Sequence, residues 1–197
     1  MSGHPVSAPG YFGKVVTHGD FVTRRLPADF VAGWDRWLQA GLLHSRQQLG
    51  PAWLAAYLNS PVWHFALAAG LCGTSAVAGV LIPSVDRVGR YFPLTVAGSL
   101  PIGAEALVPE LFDRGAGWFD ALTQTALSCL AQGYSLACMD AALAEIAPGR
   151  APRCAAGLQG RALFWTAGTV HMAPTMLVQD ALPTAQAFTA LLTMDTQ

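Results

Sequence analysis

The sequence predicts an α/β protein of the α+β type. Its expected form is a three-layer αβα sandwich with helices on both faces of a mixed, largely antiparallel central sheet. Three observations lead there. The chain has 197 residues, 53% of them hydrophobic and only 12% charged, enough to bury a large core. Stretches of strand-like and helix-like periodicity follow one another as strand, helices, several strands, helices, two strands and a final helix. The segment 76–83, "AVAGVLIP", is apolar at every position, as befits a strand covered on both sides.

The elements follow in order. Residues 1–9, rich in Gly, Pro, Ser and His, read as a disordered tail, and 10–197 as a single domain. "YFGKVV" (11–16) reads as a strand and "THGD" as a turn. After Leu26 comes the clearest helix. Pro27 suits its first turn, Asp29 its positive end, and Phe30, Trp34, Trp37, Leu38, Leu42 and Leu49 recur on one face. Gly50-Pro51 stops it, and "AWLAAYL" makes a short second helix. "VWHFAL" (62–67) and 76–83 read as strands, and 91–100 as a third, with Pro93 suggesting an edge or a bulge. Residues 76–100 thus form a hairpin with the charged loop "SVDRVGR" at its tip. A short, weakly patterned helix is read at 105–112. Stronger ones are read at 113–132 and in "ACMDAALAEIA", then a Gly/Pro/Arg-rich loop at 148–161. "ALFWT", "TMLVQ" and "TAQAFTALLTM" close the chain as strand, strand and helix.

Several function classes are excluded. A net charge of -1 leaves no field for nucleic acid or anionic lipid, and the adjacent Arg24 and Arg25 make no basic stripe. Residues 65–82 lack charge and are long enough to suggest a membrane span. Their central Gly70, Gly73, Thr74 and Ser75, and the bracketing Pro61 and Pro83, favour a buried pair of strands instead. The N-terminus is not a signal peptide. Cys72, Cys129, Cys138 and Cys154 include no C-x-x-C pair and read as reduced core thiols of a cytosolic protein. No two of His4, His18, His44, His64 and His171 have i,i+4 spacing, so neither a metal site nor any other cofactor is expected.

Lys14, the single lysine, follows Gly13 and invites comparison with a phosphate-binding loop. That loop needs G-x-x-x-x-G-K-[ST] with a helix after it. Here Gly10 and Gly13 are too close, and Val15 stands where a hydroxyl must hold magnesium. A nucleophile elbow is also absent. Ser84 beside Asp86 and His18 beside Asp20 read as turn and loop residues rather than a triad, so no enzyme is expected.

Two polar constellations remain: Lys14, Asp20, Arg24 and Arg25, and Asp86, Arg87, Arg90 and Tyr91. Arginine–carboxylate pairs could pin loops together, meet a partner, or line a phosphate or carboxylate sensor or enzyme site built from Asp20, Asp86, Arg87 and Arg90.

The same stretches carry a resemblance. "GYFGKVVTHGDFVTRRLPADFVAGWDRWLQAGL" resembles the opening signature of the type VI secretion-associated TagF family, also called ImpM. "AYLNSPVWHFAL", "GVLIPSVDRVGRYFPLTV" and "ALFWTAGTVHMAPTMLVQDALPTAQAFTALL" resemble its later blocks, in order, from about residue 10 to 193. The chain departs from many relatives at Val15-Val16, where they have a proline, and at Ala167, where they have an acidic residue. Residues 101–160 match poorly. The resemblance implies a bacterial, cytoplasmic, post-translational repressor of type VI secretion. It implies opposition to, or bypass of, a threonine kinase and phosphatase pathway, through binding the forkhead-associated (Fha) scaffold protein. Some relatives carry a fused phosphatase, which here is expected to be a separate protein.

Overall fold

The computed structural model describes residues 8–100, 116–146 and 160–193. The helix expected at 105–112, most of the loop expected at 148–161, and Cys154 lie outside them. Seven strands form one sheet: β1 (Gly10–Gly13), β2 (Val22–Arg24), β3 (Trp63–Leu67), β4 (Val77–Ile82), β5 (Leu94–Ser99), β6 (Ala162–Thr166) and β7 (Thr175–Gln179). Their spatial order is β2-β1-β5-β4-β3-β6-β7, and every neighbouring pair is antiparallel. The sheet, expected to be mixed and largely antiparallel, is antiparallel throughout its described strands.

Helices cover both faces, as expected. On one lie α1 (Ala28–Leu49), α2 (Trp53–Leu58) and α5 (Ala185–Thr193), and on the other α3 (Ala116–Ser128) and α4 (Leu136–Glu145). Strand alternation divides the core. In β4, Ala78, Val80 and Ile82 join Trp118, Phe119 and Leu122 of α3, while Val77 and Leu81 join Trp34 and Leu38 of α1. This two-sided burial explains the charge-free run at 65–82, and no helix among the described residues is long and apolar enough to cross a membrane. Pro93 precedes β5, a central strand, so it marks the strand's start rather than an edge.

Trp34 is the centre of the α1 layer. It is fully buried, with the rings of Trp37, Phe65, Phe30 and Phe164 at 4.5, 4.6, 5.5 and 6.4 Å. Its indole N–H donates to Thr95 Oγ1 at 2.8 Å, which ties helix to sheet. Gly41 admits the Phe188 ring so closely that a methyl group there would collide with it, which seats α5 against α1. Cys72 and Cys129 are buried thiols, whereas Cys138, on the outer face of α4, is exposed and not a core residue.

On the α3 face, His64 of β3 stacks on Trp165 at 5.4 Å and meets the edge of Phe119. Its Nε2 lies 3.2 Å from Thr123 Oγ1. Burial lowers its pKa below the ordinary 6.5, and the Trp165 backbone and the Asp120 carboxylate only partly oppose this. Below about pH 6.5 the unfolded chain takes up a proton that the folded chain resists, so stability falls with pH. Melting temperatures between about pH 7.5 and 5.5 should show this loss, and His64→Phe should flatten it. An unchanged slope in His64→Phe would exclude His64 as the cause.

Candidate functional site

The site begins at the end of β1. Gly13 has φ 137°, and a methyl group there would strike the Pro93 carbonyl. The glycine lets β1 pass against the start of β5, and this, not phosphate binding, is why it precedes Lys14. The strand ends at Gly13, earlier than the sequence suggested, and Lys14 turns inward. Its side chain is 7% exposed, and its ammonium sits 2.8 Å from Asp86 Oδ2 and 5.1 Å over the Phe21 ring.

Asp86 organises the hairpin tip. Oδ2 accepts from Lys14 Nζ and, at 2.7 Å, from Arg90 Nε. Oδ1 accepts from the backbone amides of Val88 (3.0 Å) and Arg90 (2.9 Å). Gly89, with φ 87°, closes the turn around the carboxylate. Burial pushes the Asp86 pKa up, but the Lys14 ammonium, the Arg90 guanidinium and the two amides override it. They hold the carboxyl well below the usual range.

Behind the turn, Ser84 Oγ donates to the Lys14 carbonyl at 2.7 Å. The Tyr57 hydroxyl from α2 donates to the Ser84 carbonyl and accepts from the Ser84 amide. Tyr91 packs edge-on against Tyr57 and Trp53, so it seats the loop on α2. In front, the Arg87 amide donates to the His18 carbonyl at 2.9 Å, and Arg90 Nη2 donates to the Gly19 carbonyl. Asp20 lies 3.6 Å from Arg90 with its side chain 99% exposed. Arg87 is exposed and makes no ion pair among the described residues.

The eight singled-out residues therefore divide differently from their sequence groups. Lys14, Asp86 and Arg90 converge, with Asp20 and Arg87 outside them and Tyr91 behind. Arg24 and Arg25 belong to a second site, where both meet Asp140 of α4 at 3.3 and 3.2 Å. Arg25, at φ 57°, also donates from Nε to the Pro9 carbonyl, so the chain is tied down by residue 9. Ser84 and His18 form no nucleophile–base pair: Ser84 Oγ serves the Lys14 carbonyl, and His18 Nδ1 faces Thr17 Oγ1. Asp86 spends both oxygens on internal donors, so its carboxylate is held within the fold.

Sequence reasoning missed Tyr57, Phe21 and Asp140. Phe21 alone had a local signal, an aromatic residue beside the "GD" turn; it packs on Phe12 and Phe92 while 48% exposed.

A family model described as the TagF N-terminal domain, type VI secretion system-associated, matches residues 10–146. The chain belongs to the TagF family. The match contains both ion-pair sites of this TagF chain, Lys14–Asp86–Arg90 and Arg24/Arg25–Asp140. A solved structure, "Crystal structure of PA0076 from Pseudomonas aeruginosa PAO1 at 2.05 A resolution", superposes with a TM-score of 0.85. It is 37% identical, and the match covers 96% of each chain. No curated protein sequence matches this TagF chain.

Proposed function

We propose that this protein is a cytoplasmic, post-translational repressor of bacterial type VI secretion, that it acts by binding rather than by catalysis, and that its partner is the Fha scaffold protein. Membership of a type VI secretion-associated family supports the setting. The observation that carries the binding role is the internal use of the polar cluster. Lys14, Asp86 and Arg90 bond to one another and to backbone, so the chemistry goes into holding two loops in one shape. A rigid loop pair loses little conformational entropy on docking, which suits a recognition surface. Its outward side presents Asp20, Arg87 and part of Arg90. Docking there shifts the scaffold toward an inactive population.

Deleting the gene should raise effector release through the secretion apparatus, and overexpression should lower it. The Fha protein should co-purify with the wild-type chain and be lost with Arg87→Ala, whose melting temperature should match wild type because the side chain is exposed. Secretion unaltered by both deletion and overexpression would end the repressor reading, and failure of wild type to retain Fha would end the partner assignment.

A further inference from the structure

We infer that the outer edge of β2 and the groove between it and α1 form a docking site for an extended segment of another protein, one with alternating apolar and acidic side chains. This goes beyond the regulatory role and stands on the groove alone.

β2 is the terminal strand of the sheet, and its outer edge carries no strand among the described residues. Beside it lies a groove of about 430 Å³, within the range of clefts that hold ligands. Its apolar walls come from Phe12, Leu26 and Val31, and Arg24, Arg25 and Asp35 line it as well. An edge strand flanked by a helix-walled, partly apolar groove suits strand addition. Main-chain bonds hold the incoming segment, and alternate side chains are sorted between the two faces.

The register fixes what each face accepts. Thr23 pairs with Phe12, whose ring joins the α1-side core, so this face of β2 opens on the groove. Arg24 pairs with Tyr11, which joins the α4-side core, and the guanidinium groups of Arg24 and Arg25 run to Asp140 of α4, so the cationic ends lie toward the opposite face although both residues also line the groove. Arg24 and Arg25 share the single carboxylate of Asp140, which leaves one positive charge in excess. An incoming strand therefore meets apolar surface at one residue and cationic surface at the next. The α1 wall adds a selective element. Asp35 Oδ2 accepts from Gln39 at 2.7 Å, but its Oδ1 is enclosed without a partner among the described residues. The Asp35 carboxylate disfavours an acidic side chain set against the α1 wall, so acidic side chains belong beside the arginines. With three residues in β2, main-chain bonds are few, and side-chain selectivity dominates.

The test uses the full chain, isotopically labelled for amide NMR, with a capped peptide of about seven residues alternating valine and glutamate. Amide shifts should concentrate at 22–26 and 28–35. Ala32→Tyr, which fills the groove from an exposed helix position, should weaken binding about tenfold or more with an unchanged melting temperature. A valine–lysine peptide should bind at least about tenfold more weakly. No shift at millimolar peptide, shifts confined to other strands, or equal binding of the lysine peptide would each overturn the inference. So would a concentration-dependent dimer that Ala32→Tyr abolishes while the peptide causes no shift, which would assign the groove to a second copy. None of these outcomes bears on whether Fha co-purifies.

Discussion

Trp34→Ala should cost about 4 kcal/mol of stability and lower the melting temperature by about 8–16 °C. Trp34 is fully buried among four aromatic rings drawn from α1, β3 and β6, so truncation leaves a cavity that no single neighbour can fill. It also strips Thr95, itself buried in β5, of its indole donor. Trp34→Phe separates the two effects, because it keeps most of the volume and removes the N–H. It should cost about 1–2 kcal/mol. Denaturant titration measures both, and a loss below about 1 kcal/mol for Trp34→Ala would mean that the core around α1 collapses freely.

Lys14→Met should cost about 3 kcal/mol and about 6–12 °C in melting temperature. The methionine matches the lysine stem in size, so the loss reports the ammonium rather than the packing. Removing it leaves the Asp86 carboxylate buried with one cation fewer. Asp20→Ala is the control. Its side chain is exposed and 3.6 Å from Arg90, so it should stay within about 0.5 kcal/mol of wild type. The pH profile adds an independent readout. The folded Asp86 pKa lies below its ordinary 3.8, so its contribution is present above about pH 4 and is lost as pH falls from there. Lys14→Met removes one of the groups that lower that pKa and should flatten this acid limb. Equal stability and equal acid response in Lys14→Met and wild type would show that the pair does not hold the loops.

The local patterns of the sequence were enough for most elements. The 3.6-residue stripe of α1, the two-sided apolar run of β4 and the "ALFWT" and "TMLVQ" strands all correspond to elements of the fold. β2 escaped because Val22 is its one buried residue and Thr23 and Arg24 face outward, so three residues show no period. The site was harder. Lys14 and Asp86 are 72 residues apart, and they meet only because β1 lies beside β5, with Gly13 opposite Leu94. Nothing local encodes that adjacency, so proximity in sequence grouped Lys14 with Asp20 and Asp86 with Arg87. Asp140 carries no local signal within "ACMDAALAEIA". Its role appears only when α4 is laid against β1 and β2. The residue types nevertheless pointed to the right physics, since sparse charges in an apolar chain have to be paired when they are buried.

Lys14 is also the chain's sole lysine, and it is sealed beneath the hairpin tip. In the folded molecule every basic side chain at the surface is therefore an arginine or a histidine. Lysine-directed reagents and lysine-modifying enzymes find no side-chain amine until the loops part, and attachment at that one position then records the opening of the Lys14–Asp86 latch.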